Sequence, residues 1–297
     1  MNRNRQRSGD SVLVVGSINE DVVLLVPRAP KPGETLTADQ VTRRAGGKGA
    51  NQAVAAARAR ADVRMIGRVG QDGAGERLLA DLRSERVDTE LVRALPDTAT
   101  GTAYITVTVD GENTIVVDPG ANASLSRQDV EEHGDAFASA AVMLAQLEVP
   151  IETVSAAVRL AIAAGTRPIV TLSPVQDVPG ELLEGLDPLL VNEHEAAALL
   201  ADREPARDPE SAAERLLRRG PESVVITLGS RGAVFAHSGG VSALSARPVD
   251  EVVDTTGAGD AFAGALAAAL AGGASLEDAV RAGLTAGAKA ITREGAH

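Results

Sequence analysis

Two stretches of this chain combine glycine with residues that can hold or move charge. Asp254-Thr-Thr-Gly257-Ala258-Gly259-Asp260 leads from the valine-rich Val249–Val253, which reads as a strand, into the alanine-rich run 261–271. Its glycines let backbone N–H groups turn toward one point at a helix start. Unpaired donors and the helix dipole favour an anion there. Asp260 would compete with a bound phosphate, unless its task is to take a proton beside a transferring group. An ordinary tight turn with an N-terminal aspartate has the same composition. Ala45-Gly46-Gly47-Lys48-Gly49-Ala50-Asn51-Gln52 opens a second alanine-rich helix. Its glycines permit close backbone approach to a ligand, and Lys48 and Asn51 offer donors.

The second stretch is not a Walker A loop. A Walker A loop needs glycine at position 42 and Ser or Thr after the lysine, where this chain has Thr42 and Gly49. Gly16-Ser-Ile-Asn-Glu-Asp21 follows the first strand without the dinucleotide fingerprint, which speaks against a Rossmann oxidoreductase. Asn192-Glu-His-Glu195 sits just past a strand end, where α/β sheets bind ligands. Its hard oxygens suit Mg²⁺ through water, though a solvated helix start reads the same way. His194 reads as a surface residue. Thr227-Leu-Gly-Ser-Arg-Gly232 is a strand-turn-strand, either a nucleotide edge or a plain hairpin.

These motifs need a scaffold, and the chain alternates in a way that supplies one. Short apolar runs at Val12–Val15, Val63–Ile66, Ala141–Leu144, Pro168–Leu172, Pro188–Val191 and Val224–Leu228 suit strands buried on both faces of a parallel sheet. Helical patterns at 74–86, 151–164 and 209–218 lie between them, and Gly165 and Gly220 close two. Ser275-Leu-Glu-Asp278 reads as the cap of a last helix. The order predicts a single α/β domain: an open, mostly parallel sheet with helices on both faces. Residues 18–45 break the alternation, with extended runs at Val22–Val26 and Glu34–Arg44. Residues 99–118 read as a hairpin around Asp110-Gly111. Together they predict a small antiparallel sheet at one edge.

The chain has 297 residues and a formal charge of −12, which argues against nucleic acid or an anionic membrane as partner. It has no cysteine, which excludes thiolate chemistry and disulfides. No apolar run approaches a membrane span, and Met1–Asp10 lacks the apolar region of a signal peptide. The tail is expected to be frayed and the location cytoplasmic.

Taken together, the motifs resemble the PfkB carbohydrate kinases, and within them the ribokinase branch, from about Val12 to Gly295. Further matching stretches are Pro32-Gly33-Glu34-Thr35, Gly70-Gln-Asp-Gly73, Gly120-Ala-Asn-Ala123 and Gln146-Leu-Glu148. The resemblance implies an ATP-dependent sugar kinase acting on the 5-hydroxyl of D-ribose. Asp260 would be the general base, and the amides of Gly257, Ala258 and Gly259 an anion hole. Asn19, Asp21, Gly46, Gly47, Lys48, Asn51 and Glu148 would hold the sugar. Thr227, Gly229 and Gly232 would line the nucleotide site, with Asn192 and Gly259. Asn192 and Glu195 would organise Mg²⁺ through water. Asp254 and carbonyls at Thr256, Ala290, Arg293 and Gly295 would hold an activating K⁺. Segments 18–45 and 99–118 would form a β-lid that also clasps a second subunit as a homodimer. Two departures stand out. Glu20 replaces a small residue and is expected to point outward, and the short C-terminus lacks a serine that completes the cation site in relatives. The open alternatives are a kinase for another small sugar or a nucleoside, or a non-catalytic sugar- or nucleotide-binding regulator. One Tyr, three Phe and no Trp leave little to stack a nucleobase.

Overall fold

The computed structural model describes residues 10–292; the tail reading at Met1–Asp10 falls almost wholly outside them. The strands are β1 Ser11–Val15, β2 Asn19–Val26, β3 Gln40–Gly46, β4 Asp62–Gly70, β5 Val87–Asp88, β6 Val92–Leu95 and β7 Gly101–Thr108. They continue with β8 Asn113–Asp118, β9 Val142–Ala145, β10 Arg167–Thr171, β11 Leu189–Asn192, β12 Ser223–Thr227, β13 Ala233–His237 and β14 Gly240–Leu244. The helices are α1 Lys48–Arg58, α2 Gly73–Ser84, α3 Arg127–Glu131, α4 Gly134–Ser139, α5 Ile151–Ala164, α6 Glu193–Leu199, α7 Pro209–Leu217, α8 Ala258–Ala271 and α9 Leu276–Ala290.

The expected open sheet is present. Its order is β14-β13-β12-β11-β10-β9-β1-β4-β5, with β6 also on β4, and it is parallel from β12 to β5. All five residues of β1 are buried because both faces are covered. Leu13 and Val15 face a core with Phe137 and Val154, under α3 to α7. Val12 and Val14 face a core with Phe262 and Leu266, under α1, α2, α8 and α9. With so few aromatic residues, that second layer is thin and alanine-rich, so α1 and α8 approach closely. Two predicted ends hold: Gly165 ends α5 at φ 70°, and Ser275 caps α9 by accepting from the Asp278 amide; α7 instead ends at Leu217 with Arg218 as its cap, ahead of Gly220.

A separate four-stranded sheet runs β3-β2-β7-β8. It is two antiparallel hairpins joined along a parallel β2–β7 seam, since both inner strands leave the body in the same direction. Its first hairpin is shorter than residues 34–44 suggest. Glu34–Asp39 is loop, and pairing begins at Gln40.

Two expectations fail. Val249–Val253 is not a strand; Val252 and Val253 are half exposed, and the amides of Val253 and Asp254 donate to the Ile291 carbonyl at 2.8 and 3.3 Å. β-branched residues suit a strand, but here the residue that follows α9 takes the bonds instead. Glu20 does not point outward. It is 7% exposed, and its carboxylate accepts from both Arg43 on β3 and Arg77 on α2. The register of β2 turns this position inward, toward two arginines that sequence spacing does not bring near it.

Candidate active site

A cavity of about 410 Å³ opens at the C-terminal edge of β10, β11 and β12, where open α/β sheets bind ligands. Lys48, Asn192, Glu195, Thr227, Gly229, Gly257, Gly259 and Asp260 all line it. Eight of the residues expected to do chemistry, from four separate stretches, therefore share one space. Exposed His194 stands at its edge.

Asp260 is the third residue of α8 and is buried at 9% exposure. Gly257 precedes the helix at φ 75°, a left-handed turn that glycine adopts without strain. Asp260 Oδ2 accepts from Asn51 Nδ2 at 3.2 Å and Oδ1 from Gln52 Nε2 at 2.9 Å. Burial pushes its carboxyl above the ordinary range. Lys48 and the two amide donors pull it down, and Glu148 pushes it up. Among the three expected anion-hole amides, Ala258 donates to the Thr255 carbonyl at 3.3 Å and does not line the cavity. Gly257 and Gly259 do line it.

A cluster of polar side chains continues from the base toward the small sheet. Lys48, Asn51 and Gln52 share one face of α1 at helical spacing. Glu148 Oε2 accepts from Ser17 Oγ at 2.6 Å and from the Lys48 amide at 3.0 Å. Asn19 Oδ1 accepts from Asn122 Nδ2 at 2.7 Å, and Asn122 also bonds both backbone groups of Ile18. Asp21 lies over Gly46, where a Cβ would stand 2.3 Å from the carboxylate. Burial first, then Glu148 and Asp260, push the Asp21 carboxyl up to about 6. Gly47 begins α1 at φ 88°, and a Cβ there would meet the Asn19 amide at 2.7 Å. The buried Oδ1 of Asn51 has no protein partner.

Asn192 and Glu195 are joined in a reciprocal cap. Asn192 Oδ1 accepts from the Glu195 amide at 2.9 Å, and Glu195 Oε2 from the Asn192 amide at 2.8 Å. Burial raises the Glu195 carboxyl, whereas Ser173 and Lys48 favour its charged form. Among the described residues no three His, Cys, Asp or Glu side chains converge as a metal cage. One buried carboxylate beside this cavity of about 410 Å³ nevertheless fits Mg²⁺, which keeps several waters and leans on phosphate oxygens.

Two expected nucleotide residues differ in place. Gly229, at φ 58°, lines the cavity. Gly232 does not; it packs against β14, where a Cβ would meet the Leu244 carbonyl at 1.9 Å. Asp254 Oδ1 accepts from the Thr256 amide at 2.8 Å, and the Asp254 amide bonds the Ile291 carbonyl just past Ala290. Arg293 and Gly295 lie outside the described residues. Sequence reasoning gave no role to Ser17, Gln52, Asn122 or Gln146. The readable signal was a polar residue within an otherwise apolar run, as at Gln52 in alanine-rich α1.

Residues 10–297 match the family model for pfkB family carbohydrate kinases. A ribokinase of Staphylococcus aureus is 36% identical over 97% of this chain and 95% of its own length. A ribokinase of Haemophilus influenzae is 38% identical over 96% of this chain and 94% of its own. The structure of Arabidopsis thaliana ribokinase complexed with ribose and ATP superposes with a TM-score of 0.90, at 31% identity, over 96% of this chain and 94% of that one. The chain belongs to the PfkB family of carbohydrate kinases.

Proposed function

We propose that this chain transfers the γ-phosphoryl group of ATP to the 5-hydroxyl of D-ribose, giving ribose 5-phosphate and ADP. The observation that carries this reading is the place of Asp260: a buried carboxylate that lines the cleft and is hydrogen-bonded to Asn51 and Gln52. The full-length relatives named ribokinase support the choice of sugar.

Asp260 accepts the hydroxyl proton as the sugar O–H bond breaks. That oxygen forms its bond to the γ-phosphorus, and the bond from the γ-phosphorus to the bridging oxygen breaks, leaving ADP. Such a transfer asks mainly for alignment and charge stabilisation. The amides of Gly257 and Gly259, beside Lys48, meet the developing charge; one such donor is worth about 3 kcal/mol where it has been removed elsewhere. Asn19, Asp21, Asn51 and Glu148 hold the sugar hydroxyls. Thr227 and Gly229 border the nucleotide. Asn192 and Glu195 would hold Mg²⁺ through water, which neutralises phosphate charge when bound. Asp254 and the Thr256 carbonyl would take a monovalent cation.

The β2-β3-β7-β8 sheet acts as a lid over the sugar and excludes water from the transfer. Its exposed Tyr104 and Val116, paired across β7 and β8 on one face, suit a second subunit, and light scattering should then detect a homodimer. The activity is tested by following ADP release with ATP and a panel of pentoses, hexoses and nucleosides. Ribose should give the highest kcat/KM, and a chelator of divalent cations should stop turnover. A higher kcat/KM for a nucleoside or hexose, or ATP turnover independent of any sugar, contradicts the reading.

A further inference from the structure

Substrate recognition does not account for all the buried polar groups between α1 and α8. Gln52 is 1% exposed and stands in an alanine-rich helix. Its Nε2 donates to Asp260 Oδ1 at 2.9 Å and to Thr171 Oγ1 at 3.3 Å. Its Oε1 accepts from Nε2 of the fully buried Gln146 at 2.7 Å. Burying two amides is costly unless they are bonded, so the arrangement needs a reason.

An amide has one donating and one accepting end. If the Gln52 amide turned over, its oxygen would face the Asp260 carboxylate and its NH₂ would face the NH₂ of Gln146. Both contacts would be repulsive. The Gln146 donor on one side and the Asp260 carboxylate on the other together hold the Gln52 amide in this orientation, and Gln146 Oε1 is itself buried without a partner. Gly16 keeps the room for this, since a Cβ there would stand 2.0 Å from Gln146 Oε1. The other donor, Asn51, has an unpartnered Oδ1 and is shared with the sugar. The Gln52 bond does not depend on substrate.

We propose that Gln52, its amide held between Gln146 and Asp260, is a positioning residue that fixes the Asp260 carboxylate in the geometry of a proton acceptor. The inference rests on Asp260 being the base. Both carboxylate oxygens keep a free lone pair for the sugar hydroxyl after taking their amide bonds. The charged groups around Asp260 act in opposition: Lys48 favours its ionised form, while Glu148 and nearby Asp21 and Glu195 disfavour it. The Gln52 donor adds to the favourable side.

The test compares Gln52→Met, Gln146→Met and Asp260→Asn in kcat, sugar KM, the pH profile of kcat and the thermal midpoint. Gln52→Met keeps the length but loses the donor. Its kcat should fall by about 10- to 100-fold, the scale expected when a reacting group is misplaced. Sugar KM should stay within about threefold, and the acid limb of the profile should move to higher pH. Gln146→Met leaves Asp260 untouched and should give the same signature in weaker form; it carries the test if Gln52→Met does not fold. In the Asp260→Asn background, Gln52→Met should cost nothing further. An inactive Asp260→Asn beside a Gln52→Met of unchanged kcat and acid limb overturns the inference. So does a Gln52→Met that changes only KM or the thermal midpoint, as a purely structural tie to Thr171 would. If Asp260→Asn itself turns over normally, the base assignment fails, and the inference fails with it.

Discussion

Gly264 of α8 rests directly on the backbone of Gln52 in α1: a Cβ at residue 264 would stand 2.5 Å from the Gln52 carbonyl oxygen. It would also meet Ala55 Cβ at 2.5 Å and the Ala56 amide at 2.7 Å. Gly264 lies one turn beyond Asp260 on the same helix face. The missing side chain is what lets the two helices approach until the carboxylate of one meets the amides of the other.

Gly264→Ala should therefore harm catalysis as well as stability. Inserting a methyl where backbone already fills the space costs about 1–3 kcal/mol. The helices must part, and the Asp260 bonds to Asn51 and Gln52 must lengthen. Denaturant unfolding and steady-state kinetics should both show losses, with kcat falling more than sugar KM rises. Undiminished kcat in a destabilised variant would mean that the helix spacing does not set the base geometry.

Asp21 should carry a cost in stability for its place in the polar cluster. Its folded-state carboxyl titrates at about 6, above the unfolded value of 3.8. The folded state thus holds this proton more tightly than the unfolded chain does. Its contribution to stability is fully present below about pH 4 and is lost as pH rises through 6. At pH 8 the charged group costs about 3 kcal/mol. Asp21→Asn should raise the thermal midpoint, by several degrees at pH 8 and by less at pH 5. The same variant should lose ribose affinity, and the parent protein should bind ribose more weakly below pH 6. Calorimetry at the two pH values checks the first point and titration with ribose the second. An equal gain at both pH values would show that Asp21 is not the strained group.

Glu20 and its two arginines predict an asymmetry. Glu20 is the buried partner, whereas Arg43 and Arg77 are mostly exposed. Arg77→Ala leaves the buried carboxylate with Arg43 alone, at a cost of about 1–3 kcal/mol. Glu20→Gln leaves only solvated arginines and should cost under about 1 kcal/mol. Urea unfolding distinguishes the two; a larger loss for Glu20→Gln would contradict the burial argument. Because Arg77 belongs to α2 and Glu20 to β2, the same pair ties the lid to the body.

What the sequence disclosed followed from local chemistry. The apolar runs of β1, β9 and β10 could be read because strands covered on both faces need no alternation. Gly165, Ser275 and Asp110-Gly111 marked their turns and caps because each answers a local backbone need. The glycine motifs around Lys48 and Asp260 were legible for the same reason. What stayed hidden depends on contacts across the chain. Nothing near Gln52 in sequence announces Gln146 or Asp260, at separations of 94 and 208 residues. Val249–Val253 has the residues of a strand, but its bonds go to Ile291 after α9, a partner far off in sequence. The inward turn of Glu20 follows from lid register and from Arg77 on α2, neither of which sequence spacing shows.

The most direct measurement of the central claim is single-turnover phosphoryl transfer by Asp260→Asn, beside its ribose affinity by calorimetric titration. The amide keeps the shape of the site but cannot accept the hydroxyl proton. Transfer should slow by about 10²- to 10⁴-fold, while the ribose dissociation constant changes by no more than a few-fold. Transfer at the parent rate, with ribose still bound, would show that the buried carboxylate at the start of α8 is not the base.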